Sequence, residues 1–212
     1  MILRNDALMI TLRHLRQIAD LGITARATDL AGSAATPHRT RSISPIGILA
    51  LRDGTATGIA LPFGSSDHAA LTALADTAIS HGITELRLAP HHALLATGAP
   101  LAFTAEAAAL GFVTSPDDNR TRISACIGSD GCASGHVPAR AIAARLAPHL
   151  APVTSLHVSG CAKGCAHPRR ADVTLVGRAD GYGLVISGMA GDTPQALLRA
   201  DQLESAVAHR QG

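Results

Sequence analysis

At 212 residues the chain is long enough to bury one sizeable core or two small ones, and its net charge of +2 is too mild for bulk attraction to nucleic acid. Aromatic residues are only 2 % of the chain, with no Trp, so stacking on bases has almost nothing to work with. Hydrophobic residues still reach 47 %, so any core must be packed from Ala, Leu, Ile and Val.

The opening "MILRNDALMITLRHLRQIADLG" carries Arg4, Asp6, Arg13, Arg16 and Asp20 where a secretory segment needs an unbroken apolar run. No stretch reaches membrane-spanning length. These features predict a cytoplasmic protein without membrane partners, in which thiols stay reduced. Leu8, Leu12, Leu15 and Ile18, with Met9 beside them, predict a helix over 6–21. Residues 22–45 are rich in Ala, Thr, Ser and Gly, hold two prolines and read as a linker. Residues 1–43 therefore form a predicted helix-and-linker segment.

From residue 46 the pattern sharpens. "IGILAL" and "TGIALP" flank Asp53-Gly54, a hairpin signature. "SSDHAALTALADTAISHG" opens on Ser and Asp cap candidates and stops at Gly82, a helix. "ITELRLAP" and "HALLATG" read as strands, and "AFTAEAAALGF" as a second helix ended by Gly111. The order ββαββα over 44–114 predicts an α+β unit with helices on one face of a sheet. After Pro116-Asp117-Asp118 the order changes, marking a second region, 115–212. "TRISA" is a strand running into Cys126, and "VPARAIAARLAPHL" a helix with Pro138 in its first turn. "VTSLHVSG" is a strand running into Cys161, followed by the hairpin "DVTLVGR"/"YGLVISG" and a helix from about Thr193.

All four cysteines thus fall in loops directly after strands: Cys126 and Cys132 as C-x5-C, Cys161 and Cys165 as C-x3-C. Gly128, Gly131, Gly160 and Gly164 let those loops wrap tightly and turn backbone N–H groups inward. A [4Fe–4S] cluster takes four thiolates and gains from N–H groups aimed at its sulfurs. A structural zinc is the rival, although C-x5-C is long for a zinc knuckle. Plain buried thiols are the third possibility.

"SGCAKGCAHP", "SACIGSDGCASG" and "GIALPFG…ELRLAPHHALL" together resemble the sulfite/nitrite reductase family, and in detail its cobalamin-pathway branch, the precorrin-3B synthases. The likeness covers roughly residues 44–190. It implies a ferredoxin-like half-domain over 44–114, followed by an α/β [4Fe–4S]-binding domain of sulfite/nitrite reductase type over 115–212. It implies that Cys126, Cys132, Cys161 and Cys165 hold a [4Fe–4S] cluster. Sirohaem, bridged to the cluster through Cys165 in the reductases proper, is the weaker alternative, because those enzymes tend to carry Asn where this loop has Lys163. The substrate implied is a tetrapyrrole, precorrin-3A, oxygenated with O2. Members of the family have two homologous halves with the ring between them, and this chain resembles the second. Either the chain is a fragment or split-gene product, or a companion chain supplies the first half and is then an expected partner; an electron-donor protein is expected as well. Two further readings stay open: half of a sirohaem-dependent sulfite or nitrite reductase, and a non-catalytic electron-transfer subunit holding only the cluster.

Tetrapyrroles carry many carboxylates, and Arg recognises a carboxylate through two parallel N–H bonds. The candidates for that contact are Arg87 on its strand, Arg120 and Arg122 ahead of Cys126, Lys163 inside the second loop, and His167 and Arg169 just after it. His91 and His92, on a predicted strand, point to opposite faces and read as structural; His136 is a candidate cap for the following helix. No residue presents itself as a catalytic acid, base or nucleophile. No dinucleotide fingerprint follows any strand, so a reduced pyridine nucleotide would have to act through another protein.

Overall fold

The computed structural model describes residues 4–22 and 44–208, and the chain divides into two units, Met1–Ile43 and Ser44–Gly212. In the first, α1 (Arg4–Leu21) is a single helix with Met9 and Leu15 exposed. Most of the predicted linker, residues 23–43, lies outside the described residues. No helix among the described residues is long and apolar enough to cross a membrane.

The second unit begins with β1 (Gly47–Leu51) and β2 (Gly54–Ala60), an antiparallel hairpin turning through Arg52 and Asp53. Asp67 then caps α2 (His68–Ser80): its carboxylate accepts the Ala70 N–H at 2.7 Å. The helix closes with the Gly82 and Ile83 N–H groups on the Ile79 and Ala78 carbonyls, both at 2.9 Å. β3 (Leu86–Ala89), β4 (Ala93–Thr97) and α3 (Leu101–Ala109) complete the predicted ββαββα order. The strands form one antiparallel sheet, ordered β1-β2-β4-β3. Ile59 and Ala96 on its inner face bury Leu74 and Ala78 of α2 and Phe103 and Ala107 of α3. Phe103 and Phe112 are at most 1 % exposed, and each such ring contributes roughly 1.5–3 kcal/mol by leaving water. In a chain with three Phe, two anchor this one core.

The second sheet holds β5 (Ile123–Ala125), β6 (Leu156–Ser159), β7 (Ala171–Arg178), β8 (Gly181–Gly188) and β9 (Ala196–Leu198), in that order. β5, β6 and β7 are mutually parallel; β8 and β9 return antiparallel. Between β5 and β6 lies α4 (Ala139–Leu146), and after β9 comes α5 (Leu203–Ala208). Both helices cover one face, where Ala139, Ala143, Leu146, Leu203 and Val207 meet Leu156, Val158 and Leu175. Small residues at 139 and 143, both 0 % exposed, let α4 settle close on the strands.

Three local expectations are corrected. The helix expected from Thr193 begins only at Leu203, because the open edge of β8 takes Ala196–Leu198 as a strand, with Gln195 N–H on the Leu184 carbonyl at 2.8 Å. Ladder bonds at an unpaired edge outweigh a weak local helix preference. His91 and His92 lie in the β3–β4 turn, not on a strand, both with positive φ (60° and 58°). His136 does not cap α4: its backbone N–H bonds the Gly160 carbonyl at 2.8 Å, and Pro138 stands at the cap position without a side-chain bond.

Arg120 joins the layers of the two sheets. It forks onto Asp118, with Nη2 at 2.7 Å from Oδ2, and its Nη1 reaches the Gly111 carbonyl at 2.7 Å just past α3. Burial alone would raise the Asp118 carboxyl, but the Arg120 side-chain and backbone bonds and its charge outweigh that and hold it below the ordinary carboxylate value.

Candidate functional site

Parallel pairing decides where the cysteines go. β5 and β6 run the same way, with Ala125 opposite Val158, so the residues following each strand emerge side by side at one edge of the sheet. Cys126 comes directly after β5 and Gly160-Cys161 directly after β6. The Gly160 N–H therefore points at the Cys126 sulfur, 3.1 Å away. Ligand sites in open sheets with parallel strands favour this position, outside the carboxyl ends of the strands.

The two loops touch through backbone. A Cβ on Gly160 would fall 2.8 Å from Gly128 Cα and 3.4 Å from both Gly135 Cα and the Cys126 sulfur. At Gly128, where φ is +66°, a Cβ would meet the Val137 carbonyl at 2.2 Å. Neither position tolerates a side chain without the loops moving apart. Inside the first loop the Cys132 N–H bonds the Gly128 carbonyl at 2.9 Å, and the Gly135 N–H bonds the Cys132 carbonyl at 2.8 Å. Lys163 closes the pair: its Nζ donates to Ser134 Oγ at 3.0 Å, tying the second loop to the first.

All four cysteines are free thiols; Cys126, Cys132 and Cys161 are half-buried and Cys165 is exposed. Among the described residues no three or more His, Cys, Asp or Glu side chains gather closely enough to hold one metal ion. A [4Fe–4S] cube takes one thiolate at each of its four iron corners. Four free thiols on two abutting loops, with a backbone N–H already directed at one sulfur, suit the chemistry of such a cluster.

Beside the loops a cleft of about 620 Å³ opens, with Cys126 and Cys165, one from each pair, in its wall. Ser124, Arg140, Phe63 and His92 line it as well. Phe63 has φ 54°, so with His92 two non-glycine residues on this cleft sit in the left-handed region that bulky side chains avoid. Such strain concentrates at functional sites. None of these four was singled out as a cleft residue from the sequence. For His92 the paired histidines were visible, but the turn that lifts them was not. Arg140 has no local mark at all.

The basic candidates divide sharply. Arg87 lies on the exposed β3 edge, paired with Glu85 at 2.9 Å, which raises the guanidinium above its ordinary value through the hydrogen bond first and then the charge. Arg120 is committed to Asp118 and two carbonyls, and Arg122 donates to Asn119 Oδ1, whose own amide holds the Ala147 carbonyl at 2.8 Å. Lys163 bridges the loops as described. Arg169 is exposed. His167 touches the cleft wall: its Nδ1 lies 3.4 Å from Oγ of the lining residue Ser124.

Beneath the second loop is a residue with no sequence signal. His157 on β6 is 0 % exposed, neither ring nitrogen has a partner, and its ring centroid is 5.6 Å from that of His167. Burial, and secondarily the charge of His167, lower its pKa from 6.5 to about 4, so the ring is neutral near pH 7.

No family model matches the chain. Among solved structures it is similar to the Mycobacterium tuberculosis NirA protein, with a TM-score of 0.63 and 23 % identity over 78 % of this chain and 36 % of that one. The fold is accordingly of the sulfite/nitrite reductase type. Dissimilatory sulfite reductase I gives a TM-score of 0.44 with 17 % identity over 57 % of this chain and 32 % of that one. In sequence the chain resembles a precorrin-3B synthase from Sinorhizobium sp, with 36 % identity across a 214-residue alignment that takes in 92 % of this chain. It spans 47 % of that relative, about half its length.

Proposed function

We propose that the chain is the cluster-bearing half of an oxidoreductase of precorrin-3B synthase type, working on a tetrapyrrole in cobalamin biosynthesis. The observation that carries this reading is the meeting of the two cysteine loops at the ends of β5 and β6, with the Gly160 N–H on the Cys126 sulfur, at the rim of a cleft. Precorrin-3B synthase at 36 % identity supports the substrate class.

Cys126, Cys132, Cys161 and Cys165 would hold the [4Fe–4S] cluster, which when bound supplies one-electron transfer next to the ring. The remaining work falls to the chain's own groups. Glycine backbone presses the two loops together, and the Lys163 ammonium, bonded to Ser134, brings positive charge to the loops, where it favours the more reduced state. Phe63, Ile123 and Ile127 offer an apolar wall to a flat macrocycle. Oxygenation of precorrin-3A with O2 takes two electrons and two protons: one oxygen atom enters the macrocycle and the other leaves as water. An electron-donor protein in the cytoplasm would supply the electrons, and a companion chain or segment corresponding to the rest of the relative would close the other side of the ring.

Anaerobic purification followed by iron and sulfide analysis tests the reading. About four irons and four sulfides per chain, lost on Cys126→Ser, are expected. One tightly held zinc, or thiols that take up no iron, overturns it, and absorption bands of bound sirohaem would turn it to the sulfite or nitrite reductase alternative.

A further inference from the structure

We infer that Arg140 is the anchor for a carboxylate of the molecule that occupies the cleft. The inference deepens the proposed function and rests on its reading of the cleft as the substrate site. Among the described residues lining that cleft, Arg140 is the one Arg or Lys. It rises from the first turn of α4, just beyond the first cysteine loop.

Its hydrogen bonds are incomplete in a telling way. Nη1 donates to Ser65 Oγ at 2.9 Å, which fixes the plane of the guanidinium against the segment that carries Phe63 and Gly64. Nε is buried and has no acceptor, and no carboxylate stands within ion-pair distance of the side chain among the described residues. Nε and Nη2 form the edge of the guanidinium that grips a carboxylate with two parallel N–H bonds. The chain ties off one corner of this cation and leaves that edge without an acceptor. Arg120 makes the contrast: there the same edge is filled by Asp118 from within the chain, with both Nε and Nη2 bonded to its carboxylate. Buried donors are nearly always satisfied, and Arg140 lines a ligand-sized cleft, so its orphan Nε points to a partner supplied from outside.

The surroundings narrow what that partner is. Phe63, Ile123, Ile127 and Ala166 are apolar, so a small hydrated anion would leave most of the wall exposed. A flat apolar body with an ionised carboxylate at its edge covers the wall and fills the fork together. Held there, one margin of the ring is registered against Cys126 and Cys165.

Titration of the full-length protein with uroporphyrin, a stable porphyrin bearing eight carboxylates, followed by porphyrin fluorescence, is the direct test. Arg140→Ala should weaken binding roughly 10- to 100-fold, the range for losing a hydrogen bond to a charged group. Arg140→Lys, which keeps the charge without the fork, should fall between the two. Arg199→Ala, which removes an exposed guanidinium paired with Asp201, should leave binding unchanged. Ser65→Ala separates a structural role from a binding one. If Arg140 only braces the segment at Ser65, the serine variant lowers the unfolding temperature as much as Arg140→Ala, and porphyrin affinity is the same in both. Equal affinity of wild type and Arg140→Ala overturns the inference and leaves the cleft reading standing. Failure of the wild type to bind porphyrin overturns the reading of the cleft itself, and the anchor with it.

Discussion

The two sheets of the second unit have similar sizes, four strands and five, and each carries two helices on one face. Only one is built to assemble a site from separated sequence. In the antiparallel sheet, consecutive strands return on themselves, so the loops after β1 and β3 are tight turns closing a hairpin edge. In the other, β5 and β6 are parallel, and both loops leave from the same end. Two cysteine pairs separated by 28 residues thereby become neighbours. Parallel pairing requires a crossover, here α4, and the crossover turns sequence distance into spatial adjacency. The first sheet contributes differently, through a stable core and the strained residues Phe63 and His92 at the cleft wall.

That division can be broken at the first core. Phe103→Ala should cost about 3–5 kcal/mol, the usual range for emptying a fully buried ring site, read by urea unfolding. Iron uptake by the folded fraction should stay near that of wild type, because the thiols belong to the other sheet. A proportional loss of iron from the protein that remains folded would mean that the two layers are not separable in this sense.

A somewhat smaller effect is expected from pH. His157 binds its proton with a pKa of about 4 in the folded chain against 6.5 for the free side chain. The unfolded chain therefore takes up a proton first as pH falls, and stability declines from about pH 6.5 down to about pH 4, by no more than roughly 3 kcal/mol. His167 is the titratable group facing it. His157→Gln should flatten that decline in a series of unfolding curves; an unchanged slope would show that the ring is not the source.

The smallest effect concerns the joint between the layers. Arg120→Ala removes a fork and two carbonyl contacts and leaves Asp118 half-buried without its cation. A loss of about 1–3 kcal/mol is expected, with porphyrin binding unaltered because the guanidinium is spent on the joint. Weakened binding at unchanged stability would make Arg120 a ligand contact as well.

Much of the fold was legible in the sequence because its signals are local. The ββαββα order followed from Asp67 at a cap, Gly82 and Gly111 at helix ends, and apolar runs of strand length. The failure at Thr193 has an equally plain cause: whether Ala196–Leu198 forms a strand depends on β8 having an open edge, which no window around Thr193 contains. The candidate site was legible in part. Cys126, Cys132, Cys161 and Cys165 stood out by spacing, whereas the basic residues were chosen by proximity in sequence. Arg87 and Arg120 illustrate why that is weak: Glu85 and Asp118 engage them, and pairing of that kind depends on backbone geometry.

By itself, the sequence determined that the four thiols fall in two glycine-rich loops, each directly after a strand, and where most strands and helices lie, because spacing and chain stiffness act over a few residues. The tertiary structure decided that Cys126 and Gly160 meet, that Arg140 lines the cleft with its Nε unpartnered, and that His157 is sealed beneath the second loop. Those facts depend on the parallel register of β5 with β6 and on the packing of α4 across them. They arise from contacts between residues far apart in the chain, and no local pattern encodes them.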